Sequence, residues 1–163
     1  MKKTNIFKNP LLFVFPLWHV LSSVLFFLLL MVDTRAGILL APIFEFSIVG
    51  LAALVAAALA TGFIGQYYAS NGSSFFPSFA IVNAIPILAM IAYTVLVACG
   101  SFESDAAVIV GALSNGLFSV ASQYISIIAG KTLSFYEPFI SFIALSASFI
   151  IGYSLGGTKN KKA

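Results

Sequence analysis

The chain has 163 residues, of which 61% are hydrophobic and 8% are charged, and its mean hydropathy is +1.08. A soluble domain carries about 25% charged residues, so this chain has too few charges to cover a water-facing surface. The formal net charge of +3 comes from lysines at the two ends, which is typical of membrane topology or anionic headgroups and not of nucleic-acid binding. We therefore expect an integral membrane protein surrounded by the lipid bilayer, in a bacterial-type plasma (inner) membrane with a cytoplasmic N-terminus.

The predicted fold class is all-α, a polytopic helical membrane bundle that forms a single domain over 1–163. Each crossing takes about twenty residues, and short loops leave no room for a second domain. Five apolar segments reach spanning length and are followed by a basic tail over 157–163; the segments are 11–32, 38–68, 75–100, 106–130 and 135–156.

The first segment follows lysines, as a secretory signal does, but its length of about 22 residues exceeds a signal's apolar region of about 7–15. We therefore interpret it as a retained first span. Within it, His19 shares a helix face with Ser22 and Ser23 by the i,i+3 and i,i+4 rule. This polar face predicts either a ligand-binding or proton-carrying histidine, or a histidine hydrogen-bonded to a neighbouring helix or to water.

The second segment carries an acid, Glu45, on the same helical face as three alanines, Ala52, Ala56 and Ala60. A face of alanines lets another helix approach closely, so Glu45 is expected to point at protein. An ionised carboxylate facing hydrocarbon would cost at least roughly 2.5–3.5 kcal/mol, which makes a buried acid a candidate for function. The alternative is that Pro42 breaks the start of the helix and leaves Glu45 near the headgroups.

The third segment holds Asn83 and Pro86 well inside it. A proline at that depth removes a backbone hydrogen bond and bends the helix. Asn83 beside the bend predicts either a polar patch that lines a cavity or an ordinary interhelical hydrogen bond worth about 0.6–2 kcal/mol.

The fourth and fifth segments each have a face of small residues, which predicts close helix packing or, for the fourth, a water-lining face. The fifth begins with an acid, Glu137, followed by Pro138. The residues predicted to pack helices together in the whole chain are Ala52, Ala56, Ala60, Gly116, Ser119, Ser148 and Gly152.

The charges at the two ends disagree with five crossings. By the positive-inside rule both lysine-rich ends belong in the cytoplasm, which requires an even number of spans. We predict five spans because each segment reaches spanning length; the alternative is four spans plus a re-entrant or broken segment at Asn115–Gly116, which must then be enclosed by protein.

The sequences around Glu45 and Glu137 also resemble each other, and in the five-span order their helices would be oppositely directed, as in inverted-repeat transporters.

The sequence shows no metal-ligand cluster, phosphate-binding loop or nucleophile with an adjacent base, so no metal, no cofactor and no catalytic residue is predicted. The favoured hypothesis is a transport or solute-binding component, with an unidentified small solute. Its predicted polar lining consists of His19, Glu45, Asn83, Gln123 and Glu137. The second hypothesis is a structural or accessory subunit that packs on a partner membrane protein or on copies of itself. The third is a lipid-modifying enzyme that uses Glu137.

Overall fold

The computed structural model of the protein describes residues 15–25, 28, 48–101, 104–129 and 136–159. Every regular element within these residues is helical, which confirms the all-α prediction. The helices are α1 (Phe15–Leu25), α2 (Ile48–Ser70), α3 (Phe75–Val82), α4 (Ala84–Ala98), α5 (Asp105–Asn115), α6 (Ser119–Ala129) and α7 (Glu137–Lys159), with one 3₁₀ turn (Gly116–Phe118) between α5 and α6.

Two of the described helices are individually long and apolar enough to cross a membrane. These spans are Gly50–Ser70 in α2 and Glu137–Gly157 in α7, and the bent pair α3–α4 makes a third if it is counted as one span. The protein thus has the helices of a membrane protein, whereas the predicted five spans are not confirmed.

Helices α2 and α7 pack side by side and run in the same direction. Contacts between them advance together along both helices, pairing Gly62 with Gly152, Gly65 with Tyr153, and Gln66 with Gly156. Five alternating spans would instead make these two helices antiparallel. The inverted-repeat relation suggested by the sequences around Glu45 and Glu137 is therefore wrong for these helices.

Glycines allow this close approach. The backbone of Gly62 occupies the space that a Cβ atom on Gly152 would need. In a bilayer, where lipid tails remove the hydrophobic drive between helices, such backbone proximity supplies the packing energy.

The packing face of α2 therefore differs from the predicted alanine face. Ala52 and Ala56 are exposed and Ala60 is half-buried. The buried face is Ala57, Thr61, Ile64, Gly65 and Tyr68. The physical reason is that this face includes a glycine, Gly65, beside which the α7 backbone lies closer than a methyl group would permit.

The bend predicted at Pro86 is confirmed. Helices α3 and α4 meet at Asn83 at an angle of 68°. Pro86 has no N–H to donate to the carbonyl of Val82, and its ring crowds that carbonyl, so α3 ends there.

The α3–α4 pair runs along α7 in the opposite direction. Phe75 contacts Tyr153 near the end of α7, with ring centroids 5.1 Å apart, and Tyr93 contacts Phe139 near its beginning, at 6.0 Å. The two contacts on α7 are about 21 Å apart along its axis, at 1.5 Å per residue, so the pair passes most of the way through the bundle.

The helix of the fourth segment is interrupted at Asn115–Gly116, the position that the sequence analysis gave as the alternative to a continuous span. Helix α5 ends at Asn115, and Gly116 has a φ of +49°, which a residue with a Cβ adopts only at a cost. Gly111 lies beside Pro138 at the start of α7, whereas Leu117 in the turn belongs to the cluster that contains Leu145. From Gly111 to Leu117 the chain thus advances about 10 Å along α7, away from the end where α7 begins.

Candidate functional site

Helix α1 is buried along its polar face. His19, Ser22 and Ser23 are only 3%, 2% and 1% exposed. Leu17, Val20, Leu21, Val24 and Leu25 are the exposed residues of the same helix. Polar side chains that face protein and apolar side chains that face outward are typical of a helix surrounded by lipid.

The serines of α1 contact the break between α5 and α6. The backbone N–H of Leu117 donates to Oγ of Ser22 at 3.0 Å. A Cβ atom added to Gly116 would lie 2.5 Å from Oγ of Ser22 and 2.9 Å from the backbone nitrogen of Ser23. The broken backbone therefore obtains a hydrogen-bond acceptor from α1, and only a glycine fits at the crossing.

His19 contacts the other break. Its imidazole lies within hydrogen-bonding reach of the Asn83 side chain, and Asn83 is 0% exposed. The Asn83 amide nitrogen donates to the carbonyl of Phe79 at 2.9 Å. However, His19 Nε2 and Asn83 Oδ1 are each buried without a well-aligned hydrogen-bond partner.

These two atoms set His19 and Asn83 apart from most other buried polar groups of the described residues. A buried polar atom left unsatisfied costs about 1–3 kcal/mol, and such groups in native proteins require an explanation such as a strained site or a bound molecule. We call His19, Ser22, Ser23 and Asn83 the α1 polar cluster. It joins α1 to both helix breaks.

Other buried hydroxyls have ordinary partners. Ser78, Ser114, Ser122 and Ser141 each donate to a carbonyl three or four residues earlier, at 2.6–2.8 Å. Trp18 Nε1 donates to Thr61 Oγ1 at 3.3 Å, which fixes α1 to α2 beside the α1 polar cluster. Ser146 on α7 also has a buried Oγ without a partner.

The structure brings together two of the predicted lining residues, His19 and Asn83. Glu137 is half-buried at the start of α7, beside Tyr93, and Tyr93 is ten residues or about 15 Å farther along the chain than Asn83. Glu137 therefore does not join the α1 polar cluster. Glu45 lies outside the described residues, and Gln123 is in α6 with its side chain outside the described part.

Sequence reasoning missed the contact between Ser22 and Gly116, and the bond between Trp18 and Thr61. The small residues of the fourth segment suggested packing but gave no partner. Thr61 was the signal that could have been used, since it is the one hydroxyl in a long alanine-rich stretch.

The chemistry available at the α1 polar cluster is hydrogen bonding. Among the residues that the structure describes, no group of three or more His, Cys, Asp or Glu side chains could hold a metal ion. Glu137 is the one charged residue whose side chain the structure describes. The cluster is thus suited to recognising donor and acceptor groups rather than to transferring charge through paired acids.

Comparison with models of protein families, with curated proteins and with solved structures finds no match to this chain.

Proposed function

We propose that this protein is a small transport component that binds a polar solute within the bilayer at the α1 polar cluster. One observation carries the proposal: two broken helices meet the buried polar face of α1, where His19 and Asn83 lie within reach of each other but His19 Nε2 and Asn83 Oδ1 have no well-aligned hydrogen bond. Interrupted helices that converge on polar groups are typical of transporter binding sites. Irregular backbone at membrane depth is tolerated only where protein or a water-filled cavity surrounds it.

The accompanying topology has four crossings and a re-entrant α5–α6 hairpin. Parallel packing of α2 and α7 requires an odd number of crossings between them, and α3–α4 supplies one. The α5–α6 segment then enters and leaves on the face where α7 begins, with its turn at Gly116–Phe118 inside the bundle. This is the arrangement that the sequence offered as the alternative to five spans.

Four crossings also reconcile the charges. Phe15 contacts Tyr67, with ring centroids 5.3 Å apart, and Ser22 lies at the Gly116 turn, so α1 runs antiparallel to α2. With α1 as a full crossing, both lysine-rich ends are on the same side. The positive-inside rule then places both in the cytoplasm.

Thiol labelling tests this topology. Cys99 is exposed at the end of α4, and the proposal puts it on the face opposite the two ends of the chain. In intact cells we expect a membrane-impermeant maleimide to label Cys99. The same reagent should leave Lys3→Cys and Ala163→Cys unlabelled in a Cys99→Ala background, and both should react once detergent is added. Labelling of Ala163→Cys without detergent would instead favour the prediction of five spans.

The function is tested by Asn83→Leu. We expect this variant to lose at least tenfold in solute flux into proteoliposomes, while its melting temperature is unchanged or a few degrees higher. Leucine removes the unsatisfied Oδ1 atom, and the carbonyl of Phe79 keeps its bond from the backbone N–H of residue 83, at 3.0 Å. The measurements are flux of a panel of small solutes and thermal unfolding in mild detergent.

Asn71→Leu is the matched control. The Asn71 amide nitrogen makes the same kind of bond, to the carbonyl of Tyr67 at 2.8 Å, on an exposed surface. Its loss should leave flux unchanged. If Asn83→Leu instead lowers the melting temperature and leaves flux unchanged, Asn83 is a packing residue and the proposed function is wrong.

A further inference from the structure

The geometry points to the class of ligand: we infer that the α1 polar cluster binds a small uncharged solute that carries N–H or O–H groups, such as an amide or a polyol. This assignment presupposes the proposed function and narrows it to one kind of cargo.

The free hydrogen-bonding positions of the cluster define what it can recognise. Asn83 offers its Oδ1 atom as an acceptor and one amide hydrogen as a donor, because the other amide hydrogen is donated to the carbonyl of Phe79. Ser22 Oγ accepts from Leu117 and has its own hydrogen to donate. His19 Nε2 can donate or accept, depending on the tautomer. A ligand must therefore present a donor to Asn83 Oδ1, and it can offer an oxygen or a second donor to Ser22 and His19.

The surroundings disfavour a charged ligand. Glu137, the one charged residue whose side chain the structure describes, is placed beside Tyr93 and away from Asn83. His19 and Asn83 are 3% and 0% exposed, so an ion would lose its hydration without gaining a counter-charge from the described residues. Transfer of a charge into such a site costs far more than transfer of a hydrogen-bonded neutral group.

The cluster is closed in this structure, since His19 and Asn83 lie within reach of each other and Gly116 is pressed against Ser22. A ligand inserts between His19 and Asn83 and replaces their imperfect contact with bonds to itself. A tight crossing of this kind admits a molecule of a few heavy atoms, and a bulky solute would have to displace α1 from the Gly116 turn.

The experiment measures permeation into proteoliposomes that contain the full chain. Urea, acetamide and glycerol are the uncharged probes, followed by stopped-flow light scattering; potassium and chloride are the ionic probes, followed by entrapped dyes. We expect at least one uncharged probe to enter at least tenfold faster through the wild-type protein than through Asn83→Leu, and neither ion to show a dependence on Asn83.

Variants of His19 separate hydrogen bonding from proton transfer. His19→Gln keeps a hydrogen-bonding group near the position of Nε2 but cannot titrate, so flux should fall about threefold. His19→Leu removes the group, and flux should fall at least tenfold. Loss of equal size in both variants would overturn the inference, since a neutral hydrogen-bonding group could then not replace the imidazole.

The remaining outcomes are also distinct. Conduction of potassium or chloride that depends on Asn83, with no flux of uncharged probes, would overturn the ligand class and leave the proposed transport function standing. Absence of any Asn83-dependent flux, for a variant with wild-type helicity and melting temperature, would overturn both.

Discussion

Replacing Gly152 by alanine is expected to destabilise the helix bundle by about 3 kcal/mol, the largest effect on stability that we predict. A Cβ atom at this position would occupy the space of the Gly62 carbonyl group, and backbone cannot move aside as the end of a flexible side chain can. Helices α2 and α7 would have to separate, and the contacts along their shared length would weaken together. Thermal unfolding in mild detergent, followed by circular dichroism, measures the effect.

Gly157→Ala is the matched control, since it lies in the same helix with nothing within 4 Å of the added methyl group. Alanine is a better helix former than glycine by about 0.5–1 kcal/mol, so this variant should be as stable as the wild type or slightly more stable. Equal melting temperatures for Gly152→Ala and Gly157→Ala would mean that α2 and α7 do not cross at Gly62 and Gly152.

Replacing Gly116 by alanine is expected to reduce both solute flux, at least tenfold, and stability. The φ of +49° costs a residue with a Cβ about 1–2 kcal/mol, and the new methyl group would collide with Ser22 and Ser23. The collision pushes α1 away from the turn, which breaks the bond from Leu117 to Ser22 and displaces His19 from Asn83. Flux into proteoliposomes and the melting temperature both report this change.

The control for Gly116 is Gly100→Ala. Gly100 has a φ of +74° but nothing within 4 Å of an added Cβ. Its alanine variant is therefore destabilised only by the unfavourable backbone conformation. We expect it to lose a similar 1–2 kcal/mol of stability with unchanged flux. The excess loss in Gly116→Ala then measures the contact with α1. An identical phenotype for the two variants would show that the turn does not position the α1 polar cluster.

The sequence was sufficient to predict helices, apolar helices of membrane-spanning length and the bend caused by Pro86, and it offered a break at Asn115–Gly116 as the alternative to five spans. Each of these follows from local chemistry: apolar length, a missing N–H or a flexible glycine. The sequence also put His19, Ser22 and Ser23 on one face of α1, because helical spacing fixes that relation without knowledge of the partner.

The direction of α7 relative to α2 could not be predicted in the same way. Segment 106–130 has spanning length, and length alone does not distinguish a crossing from a hairpin that turns back inside the protein. The lysines at both ends did favour an even number of crossings. They do not indicate which of the five apolar segments would then not cross the membrane.

The packing face of α2 was mispredicted for a related reason. A helical wheel shows that Ala52, Ala56 and Ala60 share one side, but it does not show which small face a partner occupies. Gly62 and Gly65 allow a closer approach than alanines do, so α7 occupies their side. The exposed alanines remain available for a partner helix, and the accessory-subunit hypothesis stays a prediction.

The parallel pairing of α2 and α7 has a consequence for biosynthesis. The surface of α2 around Gly62 and Gly65 leaves the ribosome first, and the helix that covers it is made only after residues 71–136. At about 5–20 residues per second, α2 waits several seconds with that surface unoccupied, facing lipid or the insertion machinery. A nascent chain interrupted before Glu137 would thus keep the surface around Gly62 and Gly65 uncovered where α7 belongs.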